Sequence, residues 1–580
     1  MLESSLLIGD FLPLLPPFSS CGVCSLNVPA ACGVKSGLGL GSIFRTQVPR
    51  FRALMKGLNR VRQTTHRVLG LLFFQRLRGL DRSTVRYIHL SEVREHSTLL
   101  KRHLSYSYYV LKCRPRIECN MTKQTASLRT ELGHFWRIGW PLLVAQTAQM
   151  GTGVVDTIMA ARFGDKDLAA IAIGFNIWLP LYLIVLGVMF ASSAIIAQDF
   201  GAGKIQRIRD HLPQSLWVSV FLSLIVAPLC YYSHLGLPLL GIEGSTAEKS
   251  SDYIRMVALG FPAIGIFMAL RYHTQGVGIT SPFAVAAVIG FIANIPLNYI
   301  FIFGAGDIPA MGAQGCGLAT AISMWLSAFI ITAYVLTKKS LRYYMPPLVP
   351  VAPNWLAIKE ILVIGGPVGA TFFLETAVFA GIALLVSSLG DVAIGAHQIA
   401  FNVWDMFYIP MLAIGSAMAT RMGHALGAQD QGGVFIALKA GILTSGVISL
   451  TTMVILLSVP ATIVGVYSNS PDISLLATRL LSFAALFVII DAVQIVGAFS
   501  MRAYKKTGFP FIASMVAYWL IALPLGYYLG IVRADNPFDG AAGFWIGIIV
   551  GVVVASAMIA VRLIMLLRQP IPDDFMPHHE

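Results

Sequence analysis

Phe175-Asn176-Ile177-Trp178-Leu179-Pro180-Leu181-Tyr182 returns 226 residues later as Phe401-Asn402-Val403-Trp404-Asp405-Met406-Phe407-Tyr408. The same offset pairs Pro141 with Pro367, Gly164-Asp165 with Gly390-Asp391, and Gly201-Ala202 with Gly427-Ala428. Toward the end of each copy the offset widens to 228, matching Pro296-Leu297-x-Tyr299 with Pro524-Leu525-x-Tyr527 and Gly312-Ala313-x-Gly315 with Gly540-Ala541-x-Gly543. A register that slips by only two residues over most of a half-chain marks an internal duplication.

The duplicated unit is built for a membrane. Of 580 residues, 56% are apolar and 12% charged, against about 25% charged in soluble domains. Apolar runs longer than about 18 residues recur, each able to cross a bilayer as a helix. The short alternating segments of a transmembrane barrel do not occur. Twelve spans are expected, at 138–161, 168–196, 212–233, 253–275, 281–303, 314–337, 358–388, 392–420, 434–458, 474–500, 509–531 and 543–567. Each copy holds six, so both enter the membrane in the same direction. Such parallel repeats are related by an axis along the membrane normal, with substrate expected between them near the midplane. The expected protein is therefore all-α, with twelve transmembrane helices in two six-helix lobes. Residues 121–337 form the N-lobe, 338–357 a cytoplasmic linker, and 358–580 the C-lobe with a short tail.

The formal charge of +14 is unevenly placed. Residues 1–120 hold 18 Lys and Arg against 6 Asp and Glu, and the remainder 24 against 22. The membrane body is nearly neutral, so its charge points to no nucleic-acid partner. Five of seven cysteines (Cys21, Cys24, Cys32, Cys113 and Cys119) also fall in the leader. Cys21-x-x-Cys24 lacks the second ligand pair of a zinc site. The leader shows no sustained apolar period, and Met121 is followed by a short polar segment and then the first span. Translation is therefore expected to begin at Met121, leaving 1–120 disordered or not made. Among the connecting segments, one side carries Lys204, Arg207, Arg209, Arg271, Lys338, Lys339, Arg342, Arg421, Lys439, Arg502, Lys505, Lys506 and Arg568. The other carries Asp165, Asp167, Glu243, Glu248, Asp307, Asp391, Asp472, Asp535 and Asp539. The positive-inside rule makes the basic side cytoplasmic, and an even span count puts both termini there.

Ionisable groups at lipid depth cost roughly 2.5–3.5 kcal/mol each on insertion scales, so each is a functional candidate. Asp156, Glu375 and Asp491 stand out, with Asp405 as a fourth. On this reading no Lys or Arg lies at their depth, which leaves a structural ion pair without a partner. Polar neighbours share their helix faces: Gln149 and Thr152 with Asp156, Thr371 with Glu375, Gln494 with Asp491, and Asn294 with Asn298. Three- and four-residue spacing sets each group on one face, which is expected to look into a wet cavity. Trp178, Tyr182, Trp404 and Tyr408 also share faces. Rings at this spacing serve as packing or offer π faces to a flat cation, and spacing alone leaves both open. Gly201-Ala-Gly203-Lys204 lacks the first Gly and the Ser/Thr of a phosphate loop. His397 and His424 lie apart from any nucleophile or second ligand.

Taken together, these motifs resemble a known family. Gly139-Trp-Pro141, Gln146-x-x-Gln149, Val155-Asp156-Thr157-x-Met159-Ala160 and Leu168-Ala169-Ala170-x-Ala172-x-Gly174 resemble the opening of NorM-type multidrug and toxic-compound extrusion (MATE) transporters. Asn294-Ile-Pro296-Leu-Asn298-Tyr299, Gly366-Pro367, Phe373-Leu-Glu375, Ala396-His397-Gln398, Arg421-x-Gly423-His424-x-Leu426-Gly427 and Asp491-Ala-Val-Gln494 extend the match over 121–570. The resemblance implies a bacterial inner-membrane antiporter, not an enzyme, expelling lipophilic, often cationic drugs and dyes in exchange for Na+ or H+, with no other cofactor. It places the coupling carboxylates at Asp156, Glu375 and Asp491, puts Na+, where that is the coupling ion, at Glu375 and Asp491, and sets Asn294 and Asn298 beside the N-lobe acid. Asp405 departs from the family pattern. The expected partners are small organic cations and the lipid bilayer, and the expected state is a monomer. A flippase for lipid-linked precursors, or another solute carrier of the same superfamily, is the alternative; the flippase would call for further helices and an Arg-lined cavity. A membrane enzyme lacks a nucleophile or metal constellation here, and a channel lacks a filter motif.

Overall fold

A computed structural model describes residues 127–346 and 351–571; the leader over 1–120 and Met121 lie outside the described residues. The N-lobe consists of Leu128–Phe163 (α1), Asp165–Gly201 (α2), Ile205–Tyr232 (α3), the pair Gly244–Ala258 and Phe261–Gly276 (α4), Ser281–Phe303 (α5) and Ala313–Thr337 (α6). The C-lobe repeats the plan with Trp355–Ser387 (α7), Asp391–Gly427 (α8), Gln431–Ser458 (α9), Pro471–Ala503 (α10), Gly508–Val532 (α11) and Pro537–Leu567 (α12). Among the described residues there is no strand beyond an isolated bridge between Ala305 and Ile308.

Ten of these helices are long and apolar enough to cross a bilayer, and the bent α4 pair makes an eleventh. The remaining helix, α1, runs for 36 residues, and its polar stripe of Gln146, Gln149 and Thr152 lowers its hydropathy. α4 departs from the single straight span expected over 253–275: it bends by 42° around Leu259 and Gly260. Pro262 follows at the start of the second half, where a missing N–H is harmless and the chain must re-enter a helix. α1 begins well before residue 138 because the Ser127 side chain caps it by accepting from Thr130 N, satisfying one of the free N–H groups of its first turn. α11 also departs from a regular helix, with π turns at Met515–Ala522 and Tyr528–Val532 on either side of Pro524. Such widened turns often mark functional sites.

The two copies fold alike in detail. Pro141 in α1 and Pro367 in α7 each interrupt a helix. Thr280 Oγ1 donates to the Ile138 carbonyl at 2.9 Å, and Thr507 Oγ1 to the Ile364 carbonyl at 2.7 Å. Each accepting carbonyl sits three residues before the proline, where a kinked helix leaves acceptors exposed. The segment joining the lobes is tied to α3. Arg209 Nε donates to Tyr343 O at 2.8 Å, Trp217 Nε1 to Val351 O at 2.9 Å, and Asn354 N to Gln214 Oε1 at 2.7 Å.

The lobes meet along the second halves of α2 and α8. From Val185 to Asp199 nearly every residue of α2 is buried, as is Met411 to Thr420 of α8, whereas the first halves alternate with exposed positions. Contact is close enough to need glycine. A Cβ on Gly201 would collide with the His424 carbonyl, and one on Gly427 with the Gln198 carbonyl. Gln198 and His424, counterparts at the 226-residue offset, each reach across to the last residue of the facing lobe's bent or long helix. Gln198 Nε2 donates to Ala503 O at 2.6 Å and His424 Nε2 to Gly276 O at 2.7 Å. Arg421 grips Glu131 with two hydrogen bonds of 2.6 and 2.7 Å, and Arg207 approaches Glu360 at 3.6 Å. The lobes are thus joined on the basic side, while the half-exposed starts of α2 and α8 flank the acidic side.

This contact generates a prediction. Gly427→Val cannot be accommodated against the Gln198 carbonyl, so the basic side must open. Spin labels on cysteines at Gln206 and Lys439 should report a longer or broader distance distribution than the unsubstituted chain. An unchanged distribution in folded protein would contradict the glycine requirement.

Candidate functional site

Each lobe holds one polar cluster built around buried acid: Asp156 alone in the N-lobe, and Asp491 with the half-buried Glu375 in the C-lobe. In the N-lobe, Asp156 on α1 is 6% exposed and faces α5 and α6. Its Oδ1 accepts from Asn298 Nδ2 at 2.5 Å and its Oδ2 from Thr320 Oγ1 at 3.1 Å. Asn298 Nδ2 also donates to Asn294 Oδ1 at 2.9 Å. Both asparagines come from one face of α5, as their four-residue spacing requires. Asn294 Nδ2 and Asn298 Oδ1 are buried with no protein partner, leaving a donor and an acceptor beside the carboxylate. The arrangement solvates a charge with neutral dipoles and no cation, which leaves the acid able to take a proton or a transported cation. Thr320 escaped sequence reading because a single threonine in an apolar helix commonly bonds its own backbone. Gln149 belongs to the same face of α1 and reaches the Tyr182 hydroxyl.

In the C-lobe, Glu375, Asp491, Thr371, Gln494, Trp404 and Tyr408 line one cavity, joined by Arg502, Ser514 and Tyr518. Glu375 Oε1 accepts from Ser514 Oγ at 3.0 Å, and Gln494 Oε1 from the Tyr518 hydroxyl at 3.3 Å. Ser514 ends the α-helical start of α11 and Tyr518 lies in its first π stretch, so the irregular helix delivers both partners. Asp405 is half-buried and does not line this cavity.

A basic residue does come near the C-lobe acids, since Arg502 lines their cavity, although none forms an ion pair with them among the described residues. Arg271 and Arg502, expected in basic connecting segments, are 3% and 6% exposed within α4 and α10. α10 runs to Ala503, past the expected end at 500. A helical side chain leans toward the N-terminus of its helix, which carries the Arg502 guanidinium up into the cavity. Arg271 instead stacks on Phe283 at 3.8 Å and Tyr272 at 5.0 Å. His424, set aside in the sequence as an isolated histidine, belongs to the seam between the lobes.

The repeated aromatics differ between the copies. Trp178 and Tyr182 stack on each other at 4.9 Å and 21°, with the Trp178 N–H buried and unpartnered. Trp404 packs among Phe379, Phe401, Tyr408 and Phe487 at 5.2 to 5.5 Å and lines the cavity. The C-lobe pair combines packing with cavity lining.

Comparison with known proteins places this architecture. The MatE family model matches twice, over residues 141–300 and 367–528, the same duplication that the repeat traces. Multidrug resistance protein NorM of Photobacterium profundum is 36% identical over 75% of this chain and 95% of its own length. Multidrug resistance protein MdtK of Edwardsiella ictaluri is 36% identical over 74% and 94%. NorM of Vibrio cholerae is 34% identical over 78% and 98%. Among solved structures, the eukaryotic MATE transporter AtDTX14 superposes with a TM-score of 0.70 at 18% identity, covering 77% of this chain and all of that one. An outward-facing multidrug resistance MATE transporter of the MOP superfamily gives 0.69 at 20%, covering 77% and 98%. These neighbours carry twelve helices in two lobes, the fold found here. The chain belongs to the MatE family of transporters.

Proposed function

We propose that the protein is a secondary active exporter that exchanges lipophilic, often cationic drugs and dyes for Na+ or H+ across the bacterial inner membrane. One observation carries this reading: each lobe buries a carboxylate, Asp156 in one and Asp491 in the other, with which no Lys or Arg forms an ion pair among the described residues. An ionised carboxylate in a poorly solvated cavity is costly when empty, so it recruits a proton, an alkali cation or an organic cation. If the coupling ion and the drug share these acids, arrival of one favours departure of the other, and exchange needs no nucleotide. The family relationship and the names of the relatives support the same function.

Asp156, backed by Asn294, Asn298 and Thr320, serves the N-lobe. Glu375 and Asp491 serve the C-lobe, where oxygens of Thr371, Ser514 and Gln494 add hard ligands suited to Na+. Trp404 and Tyr408 offer ring faces to flat cations, with Trp178 and Tyr182 in the corresponding place of the N-lobe. Asp405 adds a negative charge outside the C-lobe cavity. The basic, closed side and both termini face the cytoplasm by the positive-inside rule. A single chain contains both lobes and acts as a monomer. The membrane potential, roughly 2.3 kcal/mol per charge per 100 mV, drives the exchange only when net charge moves.

Asp156→Asn, Glu375→Gln and Asp491→Asn keep shape while deleting charge. In proteoliposomes with an imposed Na+ or proton gradient, each is expected to slow export of a fluorescent cation by about tenfold or more, roughly 1.4 kcal/mol on the barrier. Wild-type rates and unchanged ion dependence in all three would refute the coupling role. Trp404→Leu keeps apolar bulk without the indole face, and is expected to weaken planar cations several-fold, in keeping with a cation–π contact of about 0.5–2 kcal/mol. Equal losses for planar cations and neutral substrates, at equal expression, would assign Trp404 to packing alone.

A further inference from the structure

Arg502 stands at the seam of the two lobes, and its surroundings are unusual for a buried cation. It is 6% exposed, and among the described residues no carboxylate lies within ion-pair distance. Its Nη1 is buried with no hydrogen-bond partner. The guanidinium is held instead by ring faces, with its carbon 4.3 Å from the centroid of Phe499, 5.0 Å from Phe372 and 5.2 Å from Phe190. Phe372 and Phe499 belong to the C-lobe. Phe190 is on α2 of the N-lobe and meets Phe499 edge-on at 5.5 Å.

Two carboxylates share the cavity with this cation, and Glu375 is the nearer of them. Asp491 lies eleven residues earlier on α10, about 16 Å along the helix axis, more than an arginine side chain spans. Glu375 is one turn beyond Phe372 on the same face of α7 and lines the same cavity as Arg502. Ring faces hold a guanidinium less firmly than a carboxylate does. The cation therefore has a second, better station on Glu375, which also accepts from Ser514.

We infer that Arg502 is a tethered cation that competes with the transported cation for Glu375, and that the ring cage completed by Phe190 withholds it while the lobes are joined on the basic side. This rests on the exchange reading above for the nature of the transported cation. With the cage complete, Glu375 is open to a cation from outside. Parting of the lobes on the basic side carries Phe190 away with α2, and the guanidinium turns to Glu375 and displaces the bound cation toward the cytoplasm. Cation binding and cage closure then favour the same arrangement, so each stabilises the other by the same amount. Besides Asp491, the other polar groups lining this cavity are Thr371, Trp404, Tyr408, Gln494, Ser514 and Tyr518, and none carries a positive charge that would substitute for Arg502.

The test is the concentration of driving ion that gives half-maximal export of a fluorescent cation from proteoliposomes, measured for wild type, Phe190→Leu, Arg502→Gln and the double variant. Phe190→Leu frees the competitor and should raise that concentration about tenfold, equivalent to about 1.4 kcal/mol. Arg502→Gln should lower it, and in that background Phe190→Leu should have no further effect. Phe190→Trp, which keeps a ring face, should stay within about twofold of wild type. The inference is overturned if Phe190→Leu acts equally with and without Arg502, if Arg502→Gln raises the concentration, or if Phe190→Trp behaves like Leu. Should Arg502→Gln fail to fold, Arg502→Met takes its place, and the contrast between Leu and Trp at position 190 decides alone. Absence of export by wild type under either gradient would instead defeat the exchange reading itself.

Discussion

A negative charge at lipid depth is the constraint around which the rest of this molecule is arranged. Burying a carboxylate without compensation is prohibitive, and the two lobes compensate differently. The N-lobe surrounds Asp156 with amide and hydroxyl donors from α5 and α6. The C-lobe gives Glu375 a hydroxyl from the irregular α11 and sets a guanidinium nearby but on aromatic faces. Both solutions stop short of an ion pair. An ion pair would satisfy the acid permanently and leave nothing for a passing cation to do. The aromatic lining and the first π turn of α11 lie against the C-lobe acids, and the polar stripe of α1 leads to the N-lobe acid.

How much of this could be read from the sequence depended on which physical signal carried it. The duplication and the helical class were legible because apolar run length and a long self-match survive without any knowledge of contacts. Asp156, Glu375 and Asp491 were legible because an acid inside an apolar run has no structural explanation of its own. The pairing of Asn294 with Asn298 followed from helical spacing. Features at helix ends were harder. Glu131 lay outside the expected first span because a serine cap, not hydropathy, sets where α1 begins. Arg502 was assigned to a connecting segment because hydropathy fades a turn before α10 does, and the direction of a side chain along its helix is invisible to such a measure. Thr320 and the seam residues Gln198 and His424 gave no local signal at all. Their roles come from groups more than a hundred residues away.

The joined side of the lobes shows how a closed state can be firm and still reversible. Buried apolar side chains of α2 and α8 belong to a core that both lobes share. To it the seam adds backbone approach at Gly201 and Gly427, a few side chain to carbonyl bonds, and one bidentate ion pair. Carbonyl acceptors at helix ends are also open to water, while Gln198 Oε1 and Arg502 Nη1 are buried at the seam without a hydrogen-bond partner.

The seam also carries a record of descent. Gly201 and Gly427, and likewise Gln198 and His424, occupy equivalent places in the two copies and meet the other copy in equivalent ways. A patch that complements itself under a half-turn has the geometry of a two-fold homodimer, here built within one chain. The matched pairs extend beyond the seam to Pro141 and Pro367 and to the Thr280 and Thr507 bonds. The acid sites are where the copies part, one set among neutral dipoles and the other beside a guanidinium on ring faces.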